Sequence, residues 1–407
     1  MSRKTVLNLD YALIQGTYWM FYVVAGIFVS VYMLGKGYSN TSIGVVIAVG
    51  NIMAVFMQGI IANITDRSQR VNNITVIKVM LIVLFILTAA VLAIGQKSLV
   101  LTVVYTALIV VHTALHPFVN ALSFTLGESG EYVSFGIGRS IGSFSAAVLG
   151  LVMGYLATDF GVDAIPFSGI LILLLMEAVM LITGRHYKSM CVVKGIETAG
   201  SEGEGQEDKI GFLEFIGRNL GFMLLSLGVV ALFFGNVILE NFTIQIVESI
   251  GGNTEQMGIV IFVMSILEMP AMLLFDKLKE RFSYVFLLRV SAIFFAAKIV
   301  MIYMAESMTF IYIAQLNQML GYGLMFPAMV GFIDNIMSKG EAVRGQAMFT
   351  TAITAGNVLG CVFGGRILDV STAKTLLLIS SIITVAGTVI ICTIIRRIKP
   401  TEEGRSE

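Results

Sequence analysis

The chain has 407 residues, 57% hydrophobic and 13% charged; 26 Lys and Arg balance 26 Asp and Glu, and mean hydropathy is +0.89. That make-up excludes an ordinary soluble domain, in which about 25% of residues are charged. The zero net charge gives no hold for nucleic acid, so no such partner is expected, and a lipid bilayer is the solvent this composition calls for.

Twelve apolar runs of membrane-spanning length are predicted in chain order. They lie near 9–34, 41–64, 73–94, 98–126, 134–158, 166–184, 218–248, 255–277, 284–304, 308–337, 343–368 and 373–396. As helix, each is long enough to cross about 30 Å of hydrocarbon. The first carries Asp10 and Gln15 and is followed by no small-residue cleavage pattern, so it reads as a retained span and not as a leader. Tyr18 and Tyr22 share one of its faces. On the fourth span, His112, His116 and Asn120 are four apart and share a face as well.

The fifth span carries Arg139 near its start, and the sixth carries Glu177. Asn236 and Glu240 are one helical turn apart on the seventh. Glu268 stands two residues before Pro270 on the eighth, Lys298 lies inside the ninth, and Gln315, Gln318 and Tyr322 line one face of the tenth. A charged side chain near the bilayer centre costs about 2.5–3.5 kcal/mol on insertion scales, so such residues face a partner or a cavity. Lys298 therefore serves either in coupling or in a salt bridge with Glu240 or Glu268 that only holds helices together. Glu177 reads as structural. For any single Asn or Gln the plain reading is an interhelical hydrogen bond, worth about 0.6 kcal/mol on average in membranes.

The histidine face is too poor in ligands for a metal, which leaves proton exchange or substrate contact. Arg139 is either an interface anchor or a contact for substrate, Glu128 or Glu131. Pro117 and Pro327 read as matched kinks. Cys191, Cys361 and Cys392 are far apart, odd in number and without metal-ligand spacing, so all three read as free thiols. Neither a metal nor another cofactor is expected.

Positive residues beside spans are retained on the cytoplasmic side. With both termini inside, only Lys36, Lys97, Arg366 and Lys374 of the 26 fall on the outer side, and Lys298 lies within a span. The opposite orientation reverses the bias. One connection is long and polar, 185–217, with the acidic Gly-rich stretch Ser201–Asp208. It reads as a cytoplasmic linker between two six-helix halves, 1–184 and 218–407.

An offset of 210 residues aligns those halves. Asp66-Arg67 falls on Asp276-Lys277, Pro117 on Pro327, and Gly130-Glu131 on Gly340-Glu341. Val148–Asp159 falls on Val358–Asp369 with six of twelve positions identical. One shared register points to a duplicated unit, as in transporters with parallel repeats.

The segment Ala62-Asn-Ile-Thr-Asp66-Arg67-Ser-Gln69-Arg70 resembles the Gly-x-x-x-Asp-Arg-x-Gly-x-Arg signature of the major facilitator superfamily, with Ala62 and Gln69 in place of its glycines. Leu267-Glu268-Met269-Pro270, the stretches Leu316–Pro327 and Arg344–Met348, and Gly138-Arg139 with Ser143 are similar to segments of the group containing lactose permease and the phenylpropionate permease. This resemblance implies an all-α membrane fold of twelve helices in two pseudo-symmetric bundles, with the first, fourth, seventh and tenth spans lining the centre. Those are the spans that carry the polar stripes. Lactose permease-like proteins place a coupling carboxylate on the eighth span and a basic residue on the ninth, positions comparable to Glu268 and Lys298. The acidic and histidine partners of that group on the tenth span are absent here, where Gln315, Asn317 and Gln318 stand instead.

The resemblance thus implies a secondary transporter and not an enzyme. It is expected to be a multi-pass protein of the cytoplasmic membrane, working as a monomer and moving a small polar solute such as a sugar, oligosaccharide, nucleoside or organic acid, coupled to protons. Asp66, Arg67, Asp276 and Lys277 are expected to gate the cytoplasmic mouth. No phosphate-cradling Walker loop is present. Drug export is the alternative, for which 23 Met and 27 Phe would suit a greasy pocket. A membrane enzyme or sensor would need a catalytic constellation or an appended domain, and the sequence shows neither.

Overall fold

The computed structural model of the protein describes residues 2–67, 72–194 and 212–398. It divides into two compact units, Met1–Gly203 with Thr254–Ser265, and Glu204–Asn253 with Ile266–Glu407. Eleven helices among the described residues are long and apolar enough to cross a membrane. A twelfth span arises when the bent pair Arg3–Ile27 and Val29–Gly35 counts as one.

Unit 1 contains α1 (Arg3–Tyr22), a π-helical turn (Val23–Ile27), α2 (Val29–Gly35), α3 (Asn40–Arg67), α4 (Asn73–Ile94), α5 (Leu99–Gly127), α6 (Phe135–Phe160) and α7 (Ala164–Lys194). Asn72, Ser98 and Ser134 start α4, α5 and α6 by accepting from the backbone N–H three residues on. Such caps satisfy donors that a helix start leaves unpaired. The first span is not the straight run its hydropathy implies. Phe28 N–H bonds five residues back to Val23 O, and the chain bends by 41° there, as expected where a π-bulge interrupts the α ladder.

Unit 2 contains α8 (Phe212–Arg218), α9 (Leu220–Asn241), α10 (Thr243–Glu248), α12 (Tyr284–Tyr303), α13 (Met308–Ala314), α14 (Asn317–Leu320), α15 (Tyr322–Ile336), α16 (Lys339–Val370) and α17 (Ala373–Ile394). Helix α11 (Thr254–Arg281) begins among unit 1 residues and ends among those of unit 2. The predicted seventh span breaks at Phe242, where the Thr243 hydroxyl donates to Leu239 O and Glu240 O and so competes for backbone acceptors. The predicted tenth span breaks into three.

The last break of that tenth span falls at Gly321 (φ −78°, ψ −93°), whose carbonyl accepts from Ser291 Oγ on α12 at 2.7 Å. A Cβ at Gly321 would meet Asn317 O at 2.9 Å and Phe295 N at 3.3 Å, so only glycine permits this approach of the two backbones. The kinks read into Pro117 and Pro327 are not where these breaks occur: both prolines lie inside helices unbroken around them, α5 and α15.

The helix pairings repeat. In unit 1, α1 packs on α6 and α7, and α4 on α5 and α7; in unit 2, α9 packs on α16 and α17, and α12 on α15 and α17. Helices α6 and α16 end at Phe160 and Val370, the pair that the offset of 210 superimposes. Their starts differ, since Gly130-Glu131 precedes α6 while Gly340-Glu341 already lies within α16. Of the expected linker, α7 takes the first residues through Lys194 and α8 takes Phe212 onward; 195–211 lie outside the described residues. Aromatic and Met side chains fill the interior of unit 2, including Phe222, Phe233, Phe295, Met329, Phe332 and Phe349, where van der Waals packing is the main attraction between helices in lipid.

Candidate functional site

Two polar constellations stand out, one in each unit. In unit 2, Lys298 on α12 is 3% exposed. Its Nζ donates to Gln318 Oε1 at 2.5 Å, and Gln318 Nε2 donates to Glu268 Oε1 on α11 at 2.8 Å. The amide thus presents its oxygen to the cation and its N–H to the carboxylate, which satisfies both ends with one neutral group. Glu268 and, after it, Glu240 are the carboxylates in electrostatic reach of Lys298.

On α9, Asn236 Nδ2 lies 3.5 Å from Glu240 Oε2. The broken tenth span separates the three residues read as one face. Gln315 follows α13, Gln318 sits in the short α14, and Tyr322 opens α15. Gln315 is buried with its Oε1 unpartnered, and Tyr322 packs among Phe233, Phe295 and Phe326.

In unit 1, the Tyr18 ring on α1 stacks on His112 (centroids 4.8 Å, planes 12° apart) and on His116 (5.6 Å, 17°), both on α5. Tyr22 also stacks on His112 at 5.9 Å. Trp19 meets Tyr18, Tyr22 and His116 edge-on. A run of hydrogen bonds borders these rings: Trp19 Nε1 donates to Gln15 Oε1 at 3.2 Å, Gln15 Nε2 donates to Asn120 Oδ1 at 3.1 Å, and Asn120 Nδ2 lies 3.1 Å from His116 Nε2.

Arg139 on α6 sits over the Trp19 ring, 3.9 Å from its centroid, and donates to Ser143 Oγ at 2.6 Å. The loop carboxylate Glu128 instead accepts from Tyr187 at 3.0 Å. Gly142 makes room for the indole, since a Cβ there would fall 2.5 Å from Trp19 Cδ1.

Sequence reasoning overlooked Gln15, Trp19 and Ser143 as members of this group. The signal was available: Gln15 and Trp19 are one turn apart, and Trp19 is the only tryptophan in the chain. Also overlooked was Asp10, 6% exposed, whose Oδ2 pairs with His186 Nδ1 of α7 at 2.7 Å.

Of the residues read as gates, Asp276 and Lys277 are exposed, and Asp276 pairs with Lys279 at 2.6 Å. That carboxylate holds the Lys279 ammonium above the ordinary lysine range. The side chains of Asp66 and Arg67 lie outside the described residues. Glu177 is half-buried with one oxygen unpartnered. Cys361 and Cys392 are free, and Cys191 has no described side chain.

A nearly all-helical chain with so many apolar spans, a repeated packing pattern and buried polar groups inside each unit defines a multi-pass membrane transport protein. The chain belongs to the MFS_1 like family, which it matches over residues 11–379, and so to the major facilitator transporters. Among solved structures it is similar to a point mutant of the nucleoside transporter NupG, with TM-score 0.79 and 13% identity over 97% of this chain and 100% of that one. A second NupG structure gives 0.74 at the same identity and coverage. A bacterial homologue of the human lysosomal transporter Spinster, inward-facing and unoccupied, gives 0.62 at 14% identity over 98% of each chain. At such identities the likeness is one of fold. No curated protein matches the sequence.

Proposed function

We propose that the protein is a secondary active transporter that moves a small polar solute across the cytoplasmic membrane by alternating access, driven by protons. The observation that carries this reading is the chain Lys298–Gln318–Glu268, in which Lys298 and Gln318 are buried and Glu268 is partly so. Two charges held within apolar spans cost desolvation that well-packed apolar residues would avoid, so their presence is better accounted for by function than by stability. Glu268 is the coupling carboxylate in this reading, linked to Lys298 through the Gln318 amide. The ring-and-amide group of unit 1 supplies solute contacts. Sugars, oligosaccharides, nucleosides and organic acids all fit as a class, and the fold shared with a nucleoside transporter supports the choice of a polar solute.

The halves 1–184 and 218–407 rock about the solute, joined by the linker 185–217, with both termini cytoplasmic and the protein acting as a monomer. Asp66-Arg67 and Asp276-Lys277 latch the cytoplasmic mouth in this scheme.

Purified protein in liposomes with an imposed proton gradient tests the reading. A ligand that binds only the folded state raises its stability, so melting against sugars, nucleosides and organic acids selects the solute to use. Uptake of that solute driven by the gradient is the expected result. Stabilisation only by apolar drugs, or uptake indifferent to the gradient, overturns it.

A further inference from the structure

We propose that the π-helical turn Val23–Ile27 is a register switch: by tightening to α it turns α2 against the rest of unit 1, and the Tyr105 hydroxyl holds it in the bent form. This rests on the transport reading above and names a moving part for it. The turn is buried, with Val23, Val24, Ala25 and Ile27 each at most 3% exposed. No proline lies between Arg3 and Gly35 to fix the 41° bend for good. The extra residue is taken up by one bond, Phe28 N–H to Val23 O, at 2.9 Å.

Inside a bilayer a hinge has to keep every backbone group bonded. A π turn does so with bonds five residues back and an α turn with bonds four back, so passing between them exchanges partners and leaves none empty. At 3.6 residues per turn, taking one residue into the α ladder rotates everything beyond it by about 100° and advances it by about 1.5 Å. The repeat carries the other form. Residues 233–237, which the offset of 210 superimposes on the turn, are unbroken α-helix within α9.

Two features beside the turn suit such a change. A small apolar cavity lies against it, lined by Val24 and Ala25 of the turn, Phe21 before it and Tyr32 after it. Displaced side chains have room there, where close packing would otherwise resist them. The Tyr105 hydroxyl of α5 donates to Ala25 O, a carbonyl of the turn itself, over a long 3.4 Å. The Tyr105 ring stacks on Tyr32 of α2, whose hydroxyl donates to Val91 O of α4 at 3.1 Å. Rotating α2 undoes the stack and that bond, and with them the 2.6 Å ion pair between Lys36, just past α2, and Asp163. The register of one turn thus decides whether α2 is fastened to α4, α5 and the connection between α6 and α7.

A disulfide can hold the observed register. A Cβ at Gly35 would lie 3.2 Å from Val162 Cβ, and the usual separation across a disulfide is about 3.8 Å. Gly35→Cys with Val162→Cys, in a background lacking the native cysteines, should therefore cross-link on mild oxidation. Counterflow of labelled uridine, lactose and benzoate, one for each proposed solute class, is measured in liposomes before oxidation, after it and after reduction. At least a tenfold fall on oxidation, with recovery on reduction, is expected for whichever solute moves. Unchanged counterflow in the cross-linked protein overturns the proposal. Deleting Val24 makes the turn α while keeping both flanks in register. It should give the same fall in a protein that still melts cooperatively, and normal counterflow in that variant also overturns the switch.

The cross-link reads the turn without any solute as well. Tyr105→Phe keeps the ring and removes the hydroxyl, so it should slow oxidation of the cysteine pair at least threefold; an equal rate overturns the proposal. If none of the three solutes moves in the unmutated protein, it is the transport reading that fails, and this rate alone decides the switch. If the Val24 deletion does not fold, the cross-linked counterflow and the oxidation rate still decide.

Discussion

Lys298 donates to the amide oxygen of Gln318, twenty residues further along the chain, at 2.5 Å. A glutamine can serve a cation at its oxygen and a carboxylate at its nitrogen together, and no apolar or singly charged side chain of its size can. Gln318→Leu should therefore leave both Lys298 and Glu268 short of one bond. Hydrogen bonds to charged groups contribute about 1.5–3 kcal/mol each. Denaturation of the purified variant should show a loss of at least that order, and an unchanged melting temperature would show that the bridge contributes nothing to the fold.

Glu268→Gln removes the carboxylate of that chain but keeps an acceptor for the Gln318 amide. It should abolish uphill accumulation in a proton gradient while downhill exchange of the solute persists. If Glu268 only neutralises Lys298, the single mutant loses every mode of transport, and Glu268→Gln combined with Lys298→Met recovers accumulation. That recovery would remove Glu268 from coupling.

The two histidines of α5 differ in access, His112 being 4% exposed and His116 half-buried. In a background lacking the native cysteines, a cysteine at His116 or Asn120 should react with a water-soluble thiol reagent well ahead of one at His112, and the solute should slow it. Fast labelling at all three positions with no protection would place this face outside the solute path.

Asp276 and Lys279 form an exposed ion pair, and such pairs add little to stability because water screens them. Asp276→Asn should thus leave melting unchanged yet slow the transport cycle, with solute affinity intact. Loss of affinity with a normal cycling rate would argue against a latch.

The candidate site was half legible in the sequence. The face made by His112, His116 and Asn120 follows from a spacing of four on one helix, and Glu268 and Lys298 announce themselves as charges within apolar runs. That Gln318 lies between those charges was not legible, because its two bonds join residues 20 and 50 positions apart. Arg139 read as an interface anchor or a partner of a loop carboxylate. Its seat over Trp19 needs α1 against α6 and the space left by Gly142.

The sequence by itself determined the membrane environment, the number of spans and the internal repeat, since hydropathy, helix length and offset are local or periodic properties that survive without contacts. Tertiary structure alone decided where spans bend or break and which polar groups meet. The tenth span passes every test of apolar length, yet it divides where the Ser291 hydroxyl takes the Gly321 carbonyl. In a bilayer each backbone polar group must find a partner, and here the Gly321 carbonyl takes a second donor from another helix, thirty residues away, besides the Met325 N–H.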